Sequence, residues 1–247
     1  MNGSKNINDT MANKKLFVKI SEIADKIMQE EFSLMETEKV PLIDHGGSTT
    51  IMTTGVESLD SLLPSFETGN VYLICGRSSM GKKELFFQIA LNIAASTQKS
   101  VYVQSLNLLE NQIVRRMISQ MAGIGIKTGS EEVLSVGEKD CMYSCQLEVL
   151  RALKQLAKEK NMMIILCSQL PRRPECRGDK RPKLQDLREG VEKEVDDVIF
   201  IYRDAYYSRD VGDNAELILA KNPNWKTDTA YVRFNENTGM FENKKSI

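Results

Sequence analysis

The stretch Gly76-Arg77-Ser78-Ser79-Met80-Gly81-Lys82-Lys83 narrows the choice of fold more than any other part of the chain. It has the glycine, the four-residue spacer and the glycine-lysine pair of a phosphate-binding loop. In such a loop backbone N–H groups curl round an anion at the start of a helix, and the lysine neutralises it. The flanks are those the loop needs. Val71-Tyr72-Leu73-Ile74-Cys75 reads as a buried strand before it, and Glu84 to Ala95 reads as a helix after it. The last position departs from the pattern. A Ser or Thr hydroxyl there holds Mg²⁺, whereas Lys83 has three donors and no free lone pair and cannot ligate a metal. Phosphate binding is therefore expected at Gly76, Arg77, Ser78, Ser79, Met80, Gly81, Lys82 and Lys83, ordinary Mg²⁺-dependent hydrolysis is not, and no metal ligands are assigned.

Composition limits the alternatives. A chain of 247 residues, 41% hydrophobic and 27% charged, suits one globular domain with a short appendage. No apolar run approaches the ~20 residues of a membrane helix, and MNGSKNINDT lacks the apolar core of a signal peptide, so the expected location is cytoplasmic, with no membrane partner. Cys75, Cys141, Cys145, Cys167 and Cys176 make no paired metal spacing and read as free thiols, Cys141 and Cys145 as neighbours on a helix. The single histidine, His45, lies in a glycine-rich stretch and is given no chemistry. With a formal net charge of -1, any affinity for nucleic acid has to come from a local patch.

Residues 1–13 are polar and read as a disordered tail. Over 14–37 the apolar residues Leu16, Ile20, Ile23 and Ile27 recur at helical spacing, an amphipathic helix whose apolar face needs a partner, within its own domain or on a neighbouring subunit. Residues 38–53, with Pro41 and the Gly46-Gly47-Ser48 run, read as a linker, and 54–243 as the main domain. Within it, strands are expected at Val101 to Leu106, Met162 to Leu170, Val198 to Tyr202, Ala215 to Ala220 and Ala230 to Phe234. Helices are expected at Leu108 to Met121, Cys145 to Lys160 and Leu184 to Glu194. Alternating strands and helices with a β-rich end predict an α/β fold whose ligand sits beyond the C-terminal ends of the strands.

Several ordered motifs give this domain a family resemblance. Thr54-Gly55-Val56-Glu57-Ser58-Leu59-Asp60, the loop GRSSMGKK, Leu153 to Glu159 followed by Ile164 to Leu170, Asp179-Lys180-Arg181-Pro182, Asp186-Leu187-Arg188-Glu189 and Ile199 to Asp204 resemble the C-terminal, RecA-like ATPase domain of DnaB-type replicative DNA helicases. The resemblance covers about residues 50–243 and leaves out that family's N-terminal primase-interacting domain. It implies a RecA-like domain with a mainly parallel sheet, ATP with Mg²⁺ as the cofactors, single-stranded DNA as a partner, and a homo-hexamer or association with a helicase ring. Lys82 matches the phosphate lysine, Gln169 ends the strand that closes in SQL, and Lys221 matches a lysine that reaches the neighbouring subunit's γ-phosphate.

Four departures sit on the reaction itself. Lys83 replaces the metal-binding threonine, and Asn107 stands where the family has a glutamate base, with Glu110 one helical turn on as the candidate substitute. The Walker B strand with its metal-binding aspartate has no counterpart before Cys145, so strand two is expected to pair directly with the strand at Met162 to Leu170. Lys221-Asn222-Pro223 keeps the lysine and loses the arginine finger, which is worth factors of roughly 10³ to 10⁵ in rate. Hydrolysis is expected to be weakened or lost.

The stretch 171–183, PRRPECRGDKRPK, holds Arg172, Arg173, Arg177, Lys180, Arg181 and Lys183 against Glu175 and Asp179. It reads as a track for a phosphate backbone, or as a solvated mobile loop. It carries no aromatic residue, so backbone rather than base contacts are expected. The resemblance adds Arg188, Glu189 and Gly190 as strand contacts. Two functions follow: an ATP-driven ring helicase acting on single-stranded DNA, and a non-catalytic module that joins or modulates such a ring.

Overall fold

No residue of β1 (Val71–Gly76) is exposed, and its alternation sorts the protein into two cores. Tyr72 and Ile74 point into one cluster with Leu59, Leu85, Ile89, Ile93, Ile199, Ile201 and Leu217. Val71, Leu73 and Cys75 point into the other with Leu150, Ala157, Val198 and Phe200. The computed structural model describes residues 51–97, 101, 103, 116–118, 120–121, 142–208 and 212–244. The expected N-terminal helix and linker, His45, most of the expected strand at Val101 to Leu106, Asn107, Glu110 and Cys141 lie outside them. Thr50–Ser135 with Leu147–Ile247 form one compact unit. Of the second unit, Met1–Thr49 with Val136–Gln146, only the helical backbone of 142–146 is described.

The chain enters through α1 (Glu57–Asp60) and β1, turns through the phosphate loop into α2 (Lys82–Thr97), and continues with α3 (Met142–Glu159), β2 (Ile164–Gln169), α4 (Val191–Glu194), β3 (Asp197–Arg203), β4 (Asn214–Lys221), β5 (Asp228–Asn235) and β6 (Met240–Asn243). The sheet order is β2-β1-β3-β4-β5-β6. β1 runs parallel to both β2 and β3, and β4, β5 and β6 add on antiparallel. A helix lies on each face: α2 contributes Leu85, Ile89 and Ile93 to one core, and α3 contributes Leu150 and Ala157 to the other. No helix among the described residues is long and apolar enough to cross a membrane.

The TG…LD motif at the start of the domain is a closed ring of hydrogen bonds. The Asp60 carboxylate accepts from Thr54 N (2.7 Å), Thr54 Oγ1 (2.6 Å) and Gly55 N (3.2 Å). Gly55 has φ +78°, and a Cβ there would lie 2.8 Å from the Asn92 side chain on α2, so only glycine lets the ring sit against that helix.

Two elements differ from the sequence reading. The expected helix over Leu184 to Glu194 is a 3₁₀ turn at Leu184–Asp186 and, after a turn at 189–190, the short α4. Asp186 is buried and takes both nitrogens of Arg177, and Gly190 enters α4 at φ +84°, which breaks the helix between them. The other is β6, which the sequence reading does not contain. Its edge is completed by a side chain, since Gln88 on α2 donates to Phe241 O and accepts from Phe241 N, each at 2.9 Å. The expected pairing of strand two with β2 falls on residues outside the described set; within it β2 pairs with β1.

Candidate nucleotide site

The phosphate loop leaves the C-terminal end of β1, the position a strand-loop-helix site requires. Its curl rests on two residues in the left-handed region, Ser79 (φ +57°) and Gly81 (φ +97°). Packing makes glycine obligatory at Gly81, where a Cβ would lie 2.8 Å from Phe241 Cζ and 3.1 Å from the Phe234 ring. Helix α2 then starts with Leu85 N donating to Gly81 O at 2.9 Å.

Two cations donate to the loop's backbone, and a third, within the loop, ties it to the segment after β2. Lys82 Nζ donates to Arg77 O at 2.6 Å and so ties the two ends of the loop together. Burial lowers its pKa, so a negative charge beside it would restore what the surroundings remove. Arg77 donates through Nη1 to Leu170 O (2.6 Å) and through Nε to Glu175 (2.7 Å), joining the loop to the basic stretch after β2. Arg203, at the end of β3, reaches Ser79 O (3.3 Å), pairs with Glu236 (2.5 Å) and lies 4.1 Å from the Phe234 ring centroid. Its Nε is buried with no partner among the described residues. In the sequence Arg203 stands out only as part of the motif Ile199 to Asp204. The available signal was an arginine at the C-terminal end of a buried strand, where such sheets bind ligands.

Gln169 is brought to the loop as well, standing opposite Gly76 in register at the end of β2. Lys221 is not. It lies at the other end of the sheet, level with Val198, and donates to Glu192 O and Val195 O at 2.6 Å each. Its neighbour Asn222 is equally occupied: Nδ2 donates to Asp197 (2.6 Å) while Oδ1 accepts from Asn224 N (2.8 Å) and Trp225 N (2.7 Å).

The loop's shape and Lys82 fit a polyphosphate. The metal position does not fit, because Lys83 offers no lone pair, and no group of three metal-ligating side chains occurs among the described residues.

The basic stretch is tied to carboxylates outside it. Arg177 makes a bidentate pair with Asp186 (2.7 and 2.8 Å), which raises its pKa, and also donates to Arg181 O. Arg181 makes a second bidentate pair, with Glu216 (2.7 and 2.6 Å), and its guanidinium lies over Tyr202. Arg172 and Arg173, in contrast, are exposed and make no ion pair or side-chain hydrogen bond among the described residues. Arg188 is half-buried and Glu189 exposed, and a Cβ at Gly190 would meet Leu147 at 3.0 Å.

A phosphate loop at the end of β1, in a sheet with helices on both faces and an antiparallel extension, is the arrangement of a RecA-like P-loop domain. The chain belongs to the DnaB-like helicase C terminal domain family, whose model matches residues 51–147 and 143–243. A probable plasmid replicative DNA helicase of Chlamydia psittaci is 30% identical over 253 residues, covering 78% of this chain and 55% of the relative. The replicative DNA helicase DnaB of Geobacillus stearothermophilus is 26% identical, covering 82% and 58%. The chain thus spans just over half the length of these relatives. The first alignment takes in about 193 residues of the chain, so about 60 of its positions face no residue here, and the two family matches meet at 143–147. Both observations fit the internal shortening expected before Cys145. Among solved structures, an isolated ATPase domain superposes with a TM-score of 0.71 at 23% identity, covering 89% of this chain and 99% of that one. A DnaB-like replicative helicase studied with primase gives 0.69 at 21%, covering 96% and 77%.

Proposed function

We propose that this protein is a DnaB-like replicative helicase domain that binds ATP and single-stranded DNA but has weakened or lost hydrolysis. The observation that carries the proposal is an intact cradle, with Gly81 seated on Phe241 and Lys82 bridging the loop, followed by Lys83 where a metal-binding hydroxyl belongs. ATP, when bound, supplies the polyphosphate. Lys82 exchanges its bond to Arg77 O for one to a phosphate oxygen, and the loop N–H groups and Gln169 surround it. Lys83 supplies charge to the phosphates and no site for Mg²⁺. The domain occupies residues 54–243 and works in the cytoplasm, within a hexamer or beside a helicase ring.

A second reading, a non-catalytic module joined to a ring through the helix at 14–37, draws support from the hairpin after β4. There Lys221 and Asn222 are committed to their own chain and Pro223 stands in place of an arginine. Measuring ATP binding with and without Mg²⁺, together with ATP turnover with and without single-stranded DNA, tests both. Binding that does not depend on Mg²⁺, with no DNA-stimulated turnover, is expected; turnover at rates normal for helicases would refute the loss of hydrolysis. Restored hydrolysis in the Lys83→Thr, Asn107→Glu double variant would show that the missing strand is dispensable.

A further inference from the structure

Within the basic stretch 171–183 there is no ring on which a base could stack, yet the fold brings rings to it from elsewhere. Directly after β3, the 3₁₀ turn Asp204–Tyr206 sets Tyr206 and Tyr207 beside that stretch. Tyr207 stacks on Tyr202 (centroids 6.0 Å apart, planes at 29°) and meets Tyr206 edge to face (4.9 Å, 85°). Lys180 covers the Tyr207 ring at 4.4 Å, and Arg181 covers Tyr202 at 4.9 Å. Burial raises the Tyr207 pKa, with Glu175 of the neighbouring 3₁₀ turn (Arg173–Cys176) adding to the effect.

The three rings are therefore not equivalent. Two are already covered by cations, and their places in the packing are fixed. Tyr206 is 40% exposed and makes no cation contact or side-chain hydrogen bond among the described residues. Lys180 covers the adjoining Tyr207 ring, and Arg172 and Arg173 belong to the same stretch as Lys180 and make no pair among the described residues. An accessible ring set edge to face against Tyr207, beside a basic stretch that carries the unpaired Arg172 and Arg173, suits an unpaired base: the ring takes the π-face of the base and the cations take its phosphates.

We propose that Tyr206 is a stacking platform for one base of single-stranded DNA, whose phosphates run along Arg172, Arg173 and Lys180. The proposal rests on the single-strand binding put forward above. An ordinary packing role for Tyr206 would give no preference between a strand with bases and one without. The test is fluorescence anisotropy at low salt with the full chain, using labelled oligo-dT and an oligonucleotide of equal length with abasic sites. The wild-type chain should prefer oligo-dT. Tyr206→Leu should weaken oligo-dT binding about 10-fold while leaving the abasic strand within about 2-fold, and Tyr206→Trp should keep the wild-type affinity. Arg172→Ala with Arg173→Ala should weaken both strands equally. Equal wild-type affinity for the two strands, or a Tyr206→Leu loss that is the same for both, overturns the platform and leaves DNA binding standing. No wild-type binding to either strand overturns the DNA reading and the platform with it. An unchanged thermal midpoint in Tyr206→Leu separates lost stacking from lost folding, and failure of Tyr206→Trp to retain affinity also overturns the proposal.

Discussion

At the C-terminal ends of β1 and β3 three cations, Arg77, Lys82 and Arg203, donate to the backbone carbonyls of Leu170, Arg77 and Ser79. At the opposite ends of the same strands, Glu67, Asp196 and Asp197 crowd together with Lys154 and Lys221 close by. The partners differ in kind. A carbonyl satisfies an ammonium without cancelling its charge, so Lys82 keeps its attraction for an anion, whereas Arg77 and Arg203 are also paired with carboxylates, those of Glu175 and Glu236. At the acidic end burial raises the Asp197 pKa to about 7, helped by Asp196 and Glu67, and the charge is suppressed at its source. Bidentate pairing works the same way within the basic stretch: Arg177 and Arg181 are spent on Asp186 and Glu216, while Arg172 and Arg173 are not. Counting cations therefore overstates a binding surface, and identifying their partners corrects the count.

The sharpest way to break this contrast is at Gly81. Gly81→Ala forces a Cβ against Phe241 at a φ of +97°, and a loss of about 4 kcal/mol in stability together with loss of nucleotide binding is expected from chemical denaturation and a binding titration. If nucleotide binding survives, the cradle is not the site.

At the acidic end the expected effect is smaller and opposite in sign. A carboxyl whose folded pKa lies above its unfolded value contributes stability that is fully present below about pH 4 and is lost as pH rises to about 7. Asp197→Asn keeps an acceptor for Asn222 and should gain about 3 kcal/mol at pH 8, with the gain closing below pH 4. A gain that does not depend on pH would remove the titration from the account.

Arg181→Ala should cost about 1–2 kcal/mol, less than a fully buried pair because the Arg181 side chain is 44% exposed while that of Glu216 is only 11% exposed. Thermal unfolding measures the loss, and DNA affinity lost without any loss of stability would place Arg181 among the ligand-facing cations. Smallest in stability, and confined to binding, is the Arg172→Glu, Arg173→Glu pair. The thermal midpoint should stay put, while affinity for single-stranded DNA falls at low salt and the salt slope drops by about one to two contacts. Unaltered binding would take the stretch out of the DNA surface.

Much of this was legible in the chain because it is local. The phosphate loop announces itself through a strand, two glycines and a helix within about twenty-five residues, and both flanks formed where periodicity put them. Helix α3 was equally readable, although Lys154 on its inner side turns to Asp196. What stayed hidden is what joins distant segments. Glu216 lies 35 residues from the Arg181 it neutralises, and Arg203 meets Ser79 across 124 positions. Neither pairing leaves a periodic trace. The tyrosine cluster was missed for the same reason, since its rings lie outside the basic stretch they border.

The Gln88–Phe241 pair makes the two ends of the site one mechanical piece. Lys82 opens α2, Gln88 sits within the same helix, and its amide holds the backbone of the last strand as another strand would. An anion that draws the start of α2 toward the loop pulls against β6 and the Phe241 ring beneath Gly81. The helix can slide along its axis only by breaking two buried hydrogen bonds at once. On the nucleotide binding proposed above, phosphate capture would be a change of partner for Lys82 on a fixed frame, while the outer edge of β6 is closed at Phe241 to any strand that would extend the sheet.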